Sequence, residues 1–125
     1  MPRRKKLPDR VFLIAAAAAV LFISPGASAQ GKVPPYPEAL RCAALTNAAA
    51  KIGKGTPQES ALFDHTIFWG MAASDAGRAA GKTAKVVEAE VARDGTAAEA
   101  RLRAQDGATS AALAACVRQV PALNN

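Results

Sequence analysis

The stretch Leu62–Ala80, LFDHTIFWGMAASDAGRAA, constrains the fold more than any other part of the chain. After residue 30 the sequence holds four aromatic residues, and Phe63, Phe68 and Trp69 are three of them. Aromatic side chains bury the largest areas of any residue type, so this segment is expected to form the central post of the core. Its apolar residues recur at helical spacing, with Leu62, Thr66, Trp69, Ala73, Ala76 and Ala80 on one stripe. Period-two alternation with turn punctuation is missing from the sequence after residue 30, which argues against a sheet. The expected class is all-α, a small bundle of four or five helices.

The first 29 residues read as a cleaved signal peptide. Arg3, Arg4, Lys5, Lys6 and Arg10 precede the apolar run Val11–Ile23, and Ala27-Ser28-Ala29 supplies a small-x-small cleavage pattern. The alternative is a membrane anchor, but an apolar run of this length is short for a bilayer core of about 30 Å. Cleavage after Ala29 implies a periplasmic or secreted chain with no stable membrane insertion thereafter. The full chain carries a formal charge of +6. Without residues 1–29 it keeps eleven basic and nine acidic residues and shows no basic stripe. A nucleic-acid partner is therefore not expected.

Residues 30–36 (QGKVPPY) read as an extended leader, since Pro34 and Pro35 favour polyproline geometry. Residues 37–123 form a single helical domain. Pro37–Ile52 is the first helix, with Cys42, Leu45, Ala49 and Ile52 facing inward and Gly53 ending it. Thr56-Pro57-Gln58-Glu59 is a capping box that starts the second helix at Pro57, which runs to about Ala80. Lys82–Asp94 either continues that helix through Gly81 or folds back, with a bend favoured, and Gly95 ends it. A second box, Thr96-Ala97-Ala98-Glu99, opens a short helix to Gln105. Thr109 or Ser110 caps a last helix carrying Leu113, Cys116, Val117 and Val120, stopped by Pro121. Gly70, Ser74 and Gly77 mark a small-residue groove for a neighbouring helix.

So many interior positions are alanine that the core buries little area, and an exported domain of this size usually needs a covalent aid. Cys42 and Cys116 each lie on the apolar face of their helix. A disulfide between them would contribute on the order of 4 kcal/mol by restricting the unfolded chain; the alternative is two free thiols. No C-x-x-C is present, so a redox-active or haem-attachment role has no support.

Residues that could carry chemistry are sparse. His65 is the sole histidine. It stands beside Asp64, but adjacent helical residues point about 100° apart and cannot share a proton or a metal directly. Its expected role is that of an ordinary, partly exposed helix residue; the alternative is a pH-responsive one. Ser60, Ser74 and Ser110 have no second histidine to activate them and no G-x-S-x-G surrounds any of them. No catalytic residue, cofactor or metal site is expected, and the chain is not read as an enzyme. The one candidate partner-binding feature is Phe68 with Met71. They project opposite the Leu62–Trp69 stripe, among Asp64, Asp75, Arg78 and Lys82. Either another helix covers them, or they form an apolar spot rimmed by charge, a common mark of a binding site.

A cysteine in the first helix, Phe68-Trp69-Gly70 in mid-chain, and Cys116 followed by Pro121 together resemble the small two-cysteine periplasmic acid-stress chaperones of the HdeA/HdeB type. The resemblance implies a helical protein with one disulfide, Cys42–Cys116, that loosens at low pH and holds unfolded clients. Trp69 carries over as a core residue. The expected function is a periplasmic non-enzymatic binding or chaperone-like protein whose partner is an envelope protein or an unfolded client. The alternative is a dedicated structural or inhibitory partner of one envelope protein.

Overall fold

The computed structural model describes residues 34–122, so the signal segment, its cleavage point, the leader residues before Pro34 and Leu123 lie outside the described residues. Four helices follow in order: α1 (Tyr36–Ile52), α2 (Glu59–Ala79), α3 (Ala84–Arg103) and α4 (Gly107–Arg118). No strand occurs among the described residues. The architecture is an all-α bundle of four helices, closed by a disulfide between Cys42 and Cys116 with Cα atoms 5.5 Å apart.

The central post is α1, which corrects the expectation that Leu62–Ala80 holds that place. Ala39, Cys42, Ala43, Ala44, Leu45, Thr46, Ala48 and Ala49 are all buried, and the other three helices pack around this one. Short alanine side chains let neighbouring backbones approach α1 from several directions, so nearly its whole circumference is covered. Ile52, expected to face inward, is at the last turn and is exposed. The hydroxyl of buried Thr46 donates to the Cys42 carbonyl at 2.8 Å, and the Thr46 carbonyl accepts from the Thr66 hydroxyl at 3.1 Å. This polar residue therefore leaves no group unpaired at the α1–α2 contact.

The long helix α2 inserts Trp69, Ala73 and Ala76 against α1. The indole Nε1 of Trp69 donates to the Cys116 carbonyl at 2.9 Å. Cys116 is thus tied twice, by sulfur to α1 and by its carbonyl to α2. The same carbonyl also accepts from the Gln119 amide at 3.2 Å, so it takes two donors at the end of α4.

Several boundaries differ from the sequence expectations. Tyr36 belongs to α1 rather than to the leader. Its hydroxyl donates to Glu90 Oε1 at 2.6 Å, and Lys82 Nζ stands 5.0 Å from its ring centroid. The second helix starts at Glu59, not Pro57. The Thr56 hydroxyl donates to the Gly53 carbonyl at 2.6 Å, and Glu59 Oε1 accepts from the Gly55 amide at 3.1 Å. Glu59 thus reaches past Thr56, and Thr56–Gln58 form a turn ahead of the helix.

At its other end α2 stops in a Schellman motif. Gly81 takes φ 81°, Lys82 N–H donates to the Gly77 carbonyl and Gly81 N–H to the Arg78 carbonyl. The chain then folds back into α3, capped by the Thr83 hydroxyl, which accepts from the Val86 amide.

The expected pair of helices over 82–105 is one helix. It passes through Gly95, which costs only about 1 kcal/mol relative to alanine and lies buried where α3 meets α1 at the Ala44 carbonyl. The Thr96 hydroxyl donates to the Ala92 carbonyl, and Glu99 pairs with Arg103 at 2.9 Å, so neither half of the expected capping box caps anything. The helix ends with Gln105 at φ 59° and the Asp106 amide donating to the Arg101 carbonyl.

Asp106 then caps α4, in place of the expected Thr109 or Ser110. Its carboxylate accepts from the amide and hydroxyl of Thr109, which hold its pKa below the ordinary value.

Of the expected small-residue groove, Gly77 meets a neighbour: a Cβ there would lie 2.4 Å from Val87 Cγ2 and 3.3 Å from the Tyr36 ring. Gly70 and Ser74 open instead onto a cleft beside α3.

Candidate functional site

Packing α2 against α1 through Leu62, Thr66, Trp69, Ala73 and Ala76 fixes which of its residues face away. At 100° per residue, Phe63, Ile67 and Met71 fall about 40° apart in succession and roughly 140° from the buried stripe. Phe63 is 58% exposed, Ile67 47% and Met71 64%. No described helix covers them: α3 turns back along the Gly77 side, and the end of α4 faces Ile67 and Met71 only across an open groove.

Phe68 and Met71, the two residues singled out in the sequence, are placed differently. Met71 lies on the open face. Phe68 is half-buried and packs on the core, its ring edge-on to Trp69 with centroids 5.3 Å apart. Both line an open groove of about 900 Å³ between the outer side of α2 and the end of α4. Val117, Val120 and Pro121 form the opposite wall. Neither residues 82–94 nor residues 96–105 contribute to that wall.

Phe63 and Ile67 were not selected by the sequence reasoning, although their signal was present. Residues 63, 67 and 71 form an apolar i, i+4, i+8 run. Spacing alone does not separate that run from the charged flank beside it, where Asp64, Asp75 and Arg78 stand. Of these charges, Asp75 and Arg78 pair with each other at 3.2 Å and are both well exposed. Such a pair adds little stability in water and marks a polar rim beside the apolar face.

His65 is half-buried at the same groove. Its Nδ1 is occluded and has no hydrogen-bond partner. With Asp64 beside it and Val117, Val120 and Pro121 opposite, the imidazole sits in mainly apolar surroundings. Among the described residues no group of three histidine, cysteine or carboxylate side chains converges to hold a metal ion, and no helix is long and apolar enough to cross a membrane.

A second polar cluster lies at the other end of α2. Glu90 on α3 accepts from the Tyr36 hydroxyl through Oε1 and from Lys82 Nζ through Oε2 at 3.4 Å. Burial of the phenol and its hydrogen bond to Glu90 push the Tyr36 pKa up to about 12. The same hydrogen bond, with Lys82 nearby, holds Glu90 below the ordinary carboxylate value. Every member of this cluster is partnered inside the fold, and its role is to clamp the start of α1 to α3. Comparison with family models, with curated proteins and with solved structures finds no match to this chain.

Proposed function

We propose that this chain is a small non-enzymatic binding domain that holds apolar polypeptide segments on the outer face of α2. The observation that carries this reading is the exposed Phe63–Ile67–Met71 stripe, continuous with the groove against the end of α4. Three large apolar side chains in helical register, about half exposed or more and rimmed by Asp64, Asp75 and Arg78, form the kind of surface that takes the apolar residues of another chain. The export pattern of residues 1–29 supports an envelope or secreted partner. The resemblance to two-cysteine acid-stress chaperones supports an unfolded client. An enzymatic role has little support, since the one hydrogen-bonded cluster of Tyr36, Lys82 and Glu90 serves to clamp α1 to α3.

The test is suppression of aggregation. The purified chain, added to two unrelated reduced and unfolding client proteins, should slow light scattering by both. Ile67→Asp combined with Met71→Asp should abolish the effect with little change in melting temperature, because both residues are exposed. No suppression of either client by the unmodified chain, or suppression unaffected by the double substitution, overturns the reading. The exposed charges on the rim also suit a single dedicated envelope partner. That alternative expects no general suppression, together with capture of one protein from periplasmic extract that the double substitution releases.

A further inference from the structure

A different cleft lies on the side of α1 away from α2, where α1, α3 and the start of α4 come together. It is an open groove of about 540 Å³, within the range of small-molecule sites. Its floor is apolar, built from Leu40 and the short side chains of Ala44, Ala98 and Ala112. Two guanidinium groups stand at its rim, Arg41 from α1 and Arg101 from α3. Neither is engaged in an ion pair among the described residues. The one carboxylate lining the groove, Asp94, is already taken by Arg93 Nε at 2.9 Å. Thr109 also lines it, but its hydroxyl is committed to Asp106.

This combination sets the groove apart from three other clefts of the fold. The α2–α4 groove carries Asp64 and His65 and no arginine or lysine. A third cleft, around Leu62 and Leu102, has no charged lining residue. The cleft beside Gly70 balances Lys85 with Glu88. Here an apolar floor meets two arginines that form no ion pair among the described residues, although Arg101 lies in the field of the Asp106 carboxylate. Arginine suits a carboxylate because its planar fork donates two parallel hydrogen bonds to the two oxygens.

We propose that this groove binds a free single-chain amphiphilic anion, a fatty carboxylate, with the chain along the alanine floor and the carboxylate at Arg41 and Arg101. Each additional buried methylene should tighten binding about four-fold until the groove is filled. The site is separate from the α2 face, and either can exist without the other.

Titration calorimetry of the purified chain with octanoate, decanoate and dodecanoate, below micelle formation, tests the proposal. Affinity should rise with chain length, and dodecanol should bind at least ten-fold more weakly than dodecanoate. Arg41→Gln and Arg101→Gln should each weaken dodecanoate roughly five- to ten-fold while leaving dodecanol unchanged. Ala97→Phe should block both ligands by filling the groove from an exposed position, and circular dichroism confirms that each variant is folded. Equal affinity for acid and alcohol, or no response to either arginine substitution, overturns the proposal. Loss of dodecanoate binding in Ile67→Asp/Met71→Asp would also overturn it, by placing the ligand on the α2 face. Binding confined to anionic phosphatidylglycerol vesicles, with no heat from free dodecanoate, would assign the arginines to a lipid surface and reject the free ligand.

Discussion

Helices α1 and α2 use their apolar residues in opposite ways. The former carries six alanines among its 17 residues, with Cys42 and Leu45 buried at its heart, and its middle is buried on almost every side. The latter carries two phenylalanines, an isoleucine, a methionine and the tryptophan, yet its buried residues are Trp69, Ala73, Ala76 and Gly77. Burial here follows how closely backbones can approach, not how large the side chains are. Small residues make α1 a rod that three helices can grip. The surplus apolar surface of α2 has no partner within the described fold and is free for another molecule.

The sharpest way to break this comparison is to release α1 from α4. Cys42→Ala or Cys116→Ala opens a loop with a sequence separation of 74. Each should lower stability by about 4 kcal/mol and by similar amounts, as read from urea unfolding. Two single variants with clearly different losses, or free thiols on the purified protein, would contradict the role given to the bond.

Next in size is a test of close approach. Gly77→Ala places a methyl group against Val87 and Tyr36, where a Cβ would lie 2.4 Å from Val87 Cγ2. Overpacking of this kind costs about 1–3 kcal/mol. Gly70→Ala, with open space around its Cβ position, should instead be neutral or slightly stabilising, since alanine is the better helix former. A Gly77→Ala protein as stable as the parent would show that backbone approach does not limit this contact.

The clamp on α1 gives a smaller effect with a definite pH signature. Glu90 has its folded pKa held below its unfolded value, so its contribution is full above the ordinary carboxylate range and is lost as pH falls through the depressed pKa. Tyr36 has its folded pKa raised to about 12 from 10.0, so its contribution is full below pH 10 and is lost as pH rises from there towards 12. Tyr36→Phe should therefore lower stability near neutral pH and converge with the parent at both extremes. A constant difference from pH 3 to pH 11 would show that the phenol contributes by packing alone.

The smallest effects belong to the outer face. Phe63→Ser and Met71→Ser should each change stability by less than about 0.5 kcal/mol. Phe68→Ser should cost more, roughly 1–2 kcal/mol, because its half-buried ring would forfeit part of a loss that reaches about 3–5 kcal/mol for fully buried aromatics. Losses of that full size at Phe63 or Met71 would mean that the face is covered after all.

Much of the fold can be read from the sequence through local chemistry. Gly53 and Gly81 end helices where expected, Cys42 and Cys116 are bonded, and Trp69 sits at the centre of the core. What escapes is where tertiary contact overrides a local signal. Gly95 and Thr96-Ala97-Ala98-Glu99 carry the marks of a helix end and a helix start, but contact with α1 carries α3 straight through them. Tyr36 looks like part of a proline-rich leader because nothing nearby in sequence announces its partner Glu90, which lies 54 positions away. The centrality of α1 is hidden in the sequence because its buried residues are small and aromatic size points to α2 instead. The Phe63–Ile67–Met71 stripe was visible in the spacing alone, but separating it from core required knowing which face α1 occupies.

The Cys42–Cys116 bond has a consequence beyond stability. It joins the first described helix to the last, so most of α1, all of α2 and α3, and most of α4 belong to one covalent ring. A protease that cuts the exposed Lys54–Gln58 turn, or the link between α2 and α3, releases no fragment. The nicked pieces stay tethered at the junction where Trp69 donates to Cys116. A protein built this way tolerates damage to its backbone in a proteolytic compartment, so long as that compartment keeps sulfur oxidised.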